Sequence, residues 1–268
     1  MSLNDFLDVY IIHFSKLPER RVQILKAIPE NISAYWITEN SRTKSKFNYV
    51  DSESVFGVSI RKIGMDLGIN SRSLSRSRQR AKWEGYSLYL RSYLDLRGEN
   101  LVASQINQRV RQKQPILENL EQHIVAIQLA GTSSKPFQLI LEDDAMPHQS
   151  SWNKLEQLLK VKLSNGRFVA FLGSGAGLVR TSSDQIIDNF GLYNTRTFCS
   201  RTAVATLYSQ DVLKQVNKLI QDYGVPDWMP IDFLLQVAMR RLKIKTFWQD
   251  PPFFEQGSES GIFKSSLR

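Results

Sequence analysis

The chain alternates between two patterns of apolar residues. Short continuous runs predict buried strands, whereas apolar residues spaced three or four positions apart predict helices. The predicted strands cover residues 9–14, 34–38, 137–141, 167–172, 202–208 and 244–248. The predicted helices begin near Pro18, Pro115, Ser151, Ser209 and Pro230. Because strands and helices alternate to the end, we predict an α/β fold with a mixed, mostly parallel sheet flanked by helices.

Local signals set expectations for individual elements. Val22, Leu25 and Ile28 repeat at three-residue spacing in the first helix and are expected on its apolar side. Ser151 is suited to cap the third helix through its hydroxyl. The two prolines at 251–252 are expected to end the last strand.

Length and composition narrow the class of protein. A chain of 268 residues fits one large domain, and we predict a single domain over 1–268. The longest apolar runs are far shorter than the roughly 20 residues of a membrane-spanning helix. The first residues carry Asp5 and Asp8 and lack the basic start of a signal peptide, so we expect a cytoplasmic protein. The single cysteine, Cys199, suggests neither a disulfide nor a metal site.

The net charge of +9 is concentrated in one region. Residues 55–115 hold twelve Lys and Arg against four Asp and Glu, a net charge of +8, and the rest of the chain is nearly neutral. This region follows the polar residues 41–54, which predict a loop, and its own pattern fits a loop or a basic helix. A basic region favours a polyanionic partner: nucleic acid, an anionic membrane face or an anionic substrate.

Three adjacent carboxylates, Glu142, Asp143 and Asp144, directly follow the predicted strand 137–141. They repel one another and therefore need partners. One interpretation is a solvated turn or a helix start, where negative charge is favoured. The other is a site for a hard divalent cation, because ligands bind at the carboxyl ends of strands in open α/β sheets and Mg²⁺ or Mn²⁺ prefers oxygen ligands.

Residues 141–147, Leu-Glu-Asp-Asp-Ala-Met-Pro, resemble the L-E-D-D-x-x-P segment of glycosyltransferase family 25, the lipopolysaccharide and collagen-type galactosyl- and glucosyltransferases. Six more segments resemble motifs of that family in the same order. They are residues 12–21, 36–40, 120–123, 208–213, 230–232 and 251–262. The basic residues 55–115 match no motif of the family and are interpreted as an insertion or acceptor-side segment.

The resemblance implies a GT-A fold and inverting transfer of galactose or glucose from a UDP-sugar to a glycan or lipid-linked hydroxyl. It implies Mn²⁺ or Mg²⁺ on Asp144 and Glu142, with Glu142 or Asp143 reaching the ribose or sugar of the donor. An inverting reaction needs a general base for the acceptor hydroxyl. Asp232 of the P-x-D motif is the candidate base, and Asp211 is a weaker alternative.

Further residues take donor-side roles by the same resemblance. Arg20 would contact uridine or phosphate, although an arginine on a helix surface needs no such role. Glu39 would meet the base or ribose, or be a plain loop acid. Gln256 belongs to the closing P-P-x-x-x-Q motif and would contact the donor. Many metal-dependent GT-A enzymes add a C-terminal His ligand, but no His follows His148, so Gln256, Glu255 or water would take that position.

Several other residues have a structural interpretation beside the functional one. We interpret His123 as a histidine packed in a helix in preference to a substrate contact. For His13, at the end of a strand, both interpretations stay open. The glycine-rich residues 173–177 lack the G-x-G-x-x-G spacing and are expected to form a flexible loop near the donor.

Two classes of function remain in view. The first is a metal-assisted hexosyltransferase of surface polysaccharide or lipopolysaccharide synthesis. The second is a nucleic-acid or polyanion-binding module that uses residues 55–115, or a glycosyltransferase-like protein without catalysis. Within the first class, the basic region would meet an anionic acceptor or the inner face of a membrane.

Overall fold

The computed structural model describes residues 2–44, 54–56, 58–59, 113–162, 166–174, 185–186, 191–194, 202–225 and 231–263. Its strands are β1 (Leu7–Ile12), β2 (Ala34–Ile37), β3 (Ser54–Val55), β4 (Val58–Ser59), β5 (Phe137–Glu142), β6 (Ala145–Pro147), β7 (Phe168–Phe171), β8 (Gln185–Ile186), β9 (Leu192–Asn194), β10 (Ala205–Ser209), β11 (Lys245–Gln249) and β12 (Phe254–Gln256). Its α-helices are α1 (Pro18–Ala27), α2 (Lys113–Ala130), α3 (Ser151–Lys162), α4 (Gln210–Tyr223) and α5 (Ile231–Arg241).

A mixed sheet forms the centre of the described structure. In the described part of the chain it has eight strands in the order β2-β1-β5-β10-β7-β11-β9-β8. All run in one direction except β10 and β9, so the predicted α/β class with a mostly parallel mixed sheet is confirmed. In register, β1 pairs with β5 over its whole length, from Leu7 opposite Phe137 to Ile12 opposite Glu142.

Helices cover both faces of the sheet because successive strand residues point to opposite sides. Tyr10 and Ile12 face one apolar cluster, which also contains the buried sides of α2, α4 and α5. Val9 and Ile11 face the other cluster, which includes α1 and α3. Among the described helices, none combines the length and the apolar character needed to cross a membrane.

The structure corrects several local expectations. In α1, Ile24 and Arg20 are buried, whereas Val22 and Leu25 are each 51% exposed, so the predicted apolar side of this helix was wrong. Ser151 does not cap α3: its hydroxyl donates to the carbonyl of Phe253.

The chain also continues in β structure beyond the prolines at 251–252. Strand β12 pairs with β6, placing Gln256 opposite Ala145, so β11 is not the last strand. Residues Glu39–Lys44, within and just before the predicted loop, form a 3₁₀ helix. Most of the basic region 55–115 lies outside the described residues, and its role and the single-domain assignment stay predictions.

A polar cluster joins loops at the amino-terminal edge of the sheet. Asp8, the second residue of β1, is buried, and its Oδ1 lies 2.8 Å from the Lys135 ammonium. The Ser133 hydroxyl donates to its Oδ2 at 2.6 Å. Lys135 also donates to the side chain of Asn4 and the carbonyl of Leu7. The cluster therefore ties the start of β1 to the loop before β5.

We expect Asp8→Asn to lower the free energy of unfolding by roughly 2–3 kcal/mol, below the full cost of breaking a buried ion pair because Lys135 is partly exposed. Urea denaturation measures the change. Asp222→Asn, which breaks an exposed pair with Lys218 on α4, is the matched control and should cost less than about 1 kcal/mol. Equal costs at the two positions would contradict the structural role of Asp8.

Candidate functional site

The candidate site lies at the carboxyl-terminal edge of β1, β2 and β5. His13 follows β1, Glu39 lies two residues after β2, and Glu142, Asp143 and Asp144 close β5. These strands are parallel neighbours, so their carboxyl ends meet at one edge. The sheet therefore brings together side chains that are up to 131 positions apart in the sequence.

Both side-chain oxygens of Asp143 have hydrogen-bond partners. Its Oδ1 accepts a hydrogen bond from Arg20 Nη1 at 2.8 Å. Its Oδ2 lies 2.9 Å from Nδ1 of His13 and accepts the backbone N–H of Phe14 at 3.2 Å. The Asp143 side chain is only 2% exposed. A buried carboxylate with donors on both oxygens stabilises the site. We therefore assign Asp143 a structural contribution, while a donor contact remains a prediction.

Arg20 is a buried residue, which rules out the helix-surface alternative for it. Its Nη1 lies 4.0 Å from Oδ2 of Asp144, and its guanidinium lies 5.4 Å from the ring centre of Phe263. Arg20 thus places one positive charge between two adjacent carboxylates. The neighbouring Arg21 is exposed and lies over the ring of Trp36 at 4.6 Å.

Asp144 lies where the β5 edge meets the segment after β12. The backbone N–H of Gly257 donates to the Asp144 carbonyl at 2.8 Å, and that of Ser258 donates to Oδ2 at 3.3 Å. Burial, together with the charge of Glu142, raises the pKa of Asp144 to about 6 despite the Ser258 hydrogen bond. Asp144 is therefore a carboxylate with incomplete charge compensation.

Glu142 is held by two residues of α2. Asn119 Nδ2 donates to Oε1 at 3.0 Å, and Nε2 of His123 lies 3.2 Å from the same oxygen. Burial alone would raise the pKa of Glu142, but the His123 and Asn119 hydrogen bonds outweigh it and the pKa is lowered. Glu142 therefore favours its ionised form. His123 is a packed helix histidine, as expected, and contacts a site residue.

Asp232, in the first turn of α5, lies close to this group. The N–H of Glu142 donates to the carbonyl of Val204, and the backbone of the adjacent Ala203 hydrogen-bonds to the Asp232 carboxylate. Burial and the Glu142 charge raise the pKa of Asp232 to about 7. Its Oδ1 is buried and has no hydrogen-bond partner among the described residues. The structure therefore brings the predicted general base to the acidic edge.

The alternative base, Asp211, lies at the other edge. It is the second residue of α4, and the preceding Ser209 pairs with Phe137 at the start of β5. Five residues of strand, about 17 Å, separate that end of β5 from Glu142. Asp211 is also exposed, so the geometry does not support its role as a base for this site.

Glu39 and Gln256 flank the acidic group from two sides. The Glu39 carboxylate accepts the backbone N–H of Ser15 at 3.1 Å, which joins the ends of β1 and β2. Gln256 is opposite Ala145, and its N–H donates to the hydroxyl of Ser174 at 3.3 Å. Both lie at the predicted edge, and their contact with a donor stays a prediction.

The structure describes only the first two residues of the glycine-rich segment 173–177. Gly173 forms a bridge with Phe254, and the N–H of Ser174 donates to the Phe254 carbonyl at 2.8 Å, so the first two loop residues are held by β12. Residues 175–177 and Cys199 lie outside the described residues.

Sequence reasoning missed three contributors. Asn119 was not singled out, although it stands one helical turn before His123 and shares its face. The Ser258 amide carries no side-chain signal at all. Phe263 packs on Arg20, and a Cβ on Gly257 would lie 2.6 Å from the Phe263 ring, so glycine is needed for this close approach. Only the Asn119–His123 spacing could have been recognised beforehand.

The donor set suits a hard cation only in part. Within the described residues, no group of three or more His, Cys, Asp or Glu side chains could hold a metal ion. Glu142 and Asp144 supply carboxylate oxygens, and burial together with the charge of Glu142 raises the pKa of Asp144, so a bound cation would favour its ionised form. Mg²⁺ commonly binds one or two carboxylates and completes its shell with phosphate oxygens and water. The residues therefore fit a cation that arrives with a diphosphate.

No protein-family model matches the chain, and no curated protein is similar to it. The assignment to glycosyltransferase family 25 therefore stays a prediction from the ordered motifs.

We expect Arg20→Met to lower the free energy of unfolding by roughly 3–5 kcal/mol, because it leaves Asp143 buried without its cation. The adjacent Arg21→Met is the control and should cost about 1 kcal/mol or less, since it removes only an exposed contact with Trp36. Chemical denaturation of both variants compares the two sites. A small loss for Arg20→Met would show that His13 and Phe14 alone stabilise Asp143.

Ionisation of the Asp232 carboxyl should make the free energy of unfolding depend on pH. Between about pH 4 and 7 the folded carboxyl holds a proton that the unfolded one has lost, so stability falls as pH rises, by up to about 1.4 kcal/mol per unit. Asp232→Asn removes this pH-dependent loss of stability. The variant should therefore become more stable relative to the wild type as the pH rises from 5 to 8.

Denaturation at several pH values tests this expectation. Asp211→Asn is the matched control, because Asp211 is also in the first turn of a helix but is exposed at the opposite edge. A difference between Asp232→Asn and wild type that stays constant over this pH range would refute the raised pKa.

Proposed function

We propose that the protein is an inverting hexosyltransferase with a GT-A fold, similar to glycosyltransferase family 25. It transfers galactose or glucose from a UDP-sugar to a hydroxyl of a glycan or lipid-linked acceptor. The observation that carries the proposal is the convergence of Glu142, Asp144 and Asp232 at one edge of a mixed α/β sheet, where most of the ordered motifs also lie. The acceptor belongs to surface polysaccharide or lipopolysaccharide synthesis.

Glu142 and Asp144 face the donor diphosphate in this proposal. Glu142 and Asp144 would hold Mn²⁺ or Mg²⁺, whose positive charge would offset the negative charge that develops on the UDP leaving group. The chain's own contribution is orientation. Ser258 holds one oxygen of Asp144, and Asn119 and His123 hold one oxygen of Glu142. Arg20 neutralises Asp143, and His13 hydrogen-bonds to its other oxygen, so Asp143 keeps its position without a ligand.

Asp232 takes the proton of the acceptor hydroxyl. A general base works best when its pKa lies near the working pH, and the pKa of Asp232 is raised to about 7. Its Oδ1, without a partner among the described residues, is the oxygen that accepts the proton. The charge of Glu142 favours protonation of Asp232 as the proton leaves the acceptor.

The basic residues 55–115 supply the acceptor side of this proposal. Twelve Lys and Arg in this region suit an anionic, lipid-linked acceptor or the anionic inner face of a membrane, where the protein would attach peripherally from the cytoplasm.

The direct test incubates the protein with UDP-galactose or UDP-glucose and Mn²⁺. A ligand of the folded state raises the melting temperature, so a thermal shift identifies the donor. Asp232→Asn should keep this shift, because Asp232 is not a donor contact. It should lose transfer of labelled sugar to acceptor by 100-fold or more, on the order of a removed general base. Absence of any nucleotide-sugar shift, with or without Mn²⁺, would contradict the proposal.

A further inference from the structure

The two acids Glu142 and Asp143 are hydrogen-bonded in different ways. Asp143 has donors on both oxygens, with Arg20 on Oδ1 and His13 and Phe14 on Oδ2. Glu142 has both of its donors on one oxygen, Oε1. In the described part of the chain, no hydrogen-bond donor reaches its Oε2. The Glu142 side chain is 18% exposed, and Oε2 is not buried, so this oxygen is open to water or to a ligand.

Both donors to Glu142 come from the same face of α2. Asn119 and His123 are four residues apart, and side chains at this spacing lie one above the other on a helix. The helix itself is fixed against the sheet by the buried Leu120, Ile124 and Ile127. The position of the Glu142 carboxylate is therefore set by a rigid element rather than by a loop.

The tautomer of His123 follows from its surroundings. A carboxylate oxygen accepts, so Nε2 of His123 carries the hydrogen of its contact with Oε1 of Glu142. Its Nδ1 is buried and has no hydrogen-bond partner among the described residues. His123 is thus a fixed donor to Glu142.

We propose that Asn119 and His123 are positioning residues, which hold Oε1 of Glu142 and thereby keep Oε2 directed at the divalent cation of the donor diphosphate. This inference rests on the proposed function. Residues that hydrogen-bond to a metal ligand fix its orientation, and their loss weakens metal affinity roughly tenfold to a hundredfold.

The test measures Mn²⁺ binding in the presence of UDP, from the electron paramagnetic resonance signal of free Mn²⁺. We expect Asn119→Ala and His123→Ala each to raise the Kd for Mn²⁺ roughly tenfold or more. His123→Gln should recover part of the affinity, because a glutamine amide can also donate. Asn119 is half-buried, so Asn119→Ala keeps the test valid if His123→Ala does not fold.

Val125→Ala is the matched control. Val125 is buried on the same helix and its side chain cannot hydrogen-bond to the acids, so this variant should lower stability without changing the Kd. In a Glu142→Gln background, Asn119→Ala should add little further loss, because coupled residues are not additive.

The outcomes separate the two proposals. If both alanine variants bind Mn²⁺ as the wild type does, or if Val125→Ala weakens binding equally, the positioning role is wrong. A wild-type protein that binds UDP-sugar but no Mn²⁺ overturns this inference alone. A wild-type protein that binds neither overturns the proposed function as well.

Discussion

The ion pair between Arg20 and Asp143 is the interaction on which the candidate site depends. Three consecutive carboxylates at a sheet edge repel one another, and burial makes that repulsion stronger. Arg20 places a buried positive charge 2.8 Å from Asp143 and 4.0 Å from Asp144. The pair also joins the first turn of α1 to the end of β5, so the same contact fixes the helix on the sheet.

One arginine does not balance the whole acidic group. Asp143 is compensated by Arg20, whereas burial and the charge of Glu142 raise the pKa values of Asp144 and Asp232. Such groups lower stability and are common where a ligand supplies the missing charge. At the opposite edge, the buried Asp8 has the Lys135 ammonium 2.8 Å from one oxygen and the Ser133 hydroxyl on the other, so its charge is compensated. This difference between the acids at the two edges is why we propose that the functional site lies at the carboxyl-terminal edge.

Much of the architecture is predictable because the strands are continuous apolar runs. The run at 137–141 fixed β5 and therefore the position of the acids that follow it. The burial of Arg20 was not predictable, because apolar spacing favours Val22 and Leu25 for the buried side of α1, and only the distant Asp143 makes a buried arginine stable. Strand β12 was missed for a similar reason, since its partner β6 is more than 100 residues away.

We infer that Asp143 stabilises the fold and propose that Asp144 binds the donor, and comparing Asp143→Asn with Asp144→Asn tests this division most directly. Urea denaturation at pH 8 and titration with the UDP-sugar and Mn²⁺ are measured on both variants. The account predicts that Asp143→Asn loses several kcal/mol of stability, on the order of 3. Asp144→Asn should be at least as stable as the wild type, because it removes an uncompensated charge, yet bind the donor far more weakly. A stable Asp143→Asn with lost binding, beside a destabilised Asp144→Asn that still binds, would contradict the account.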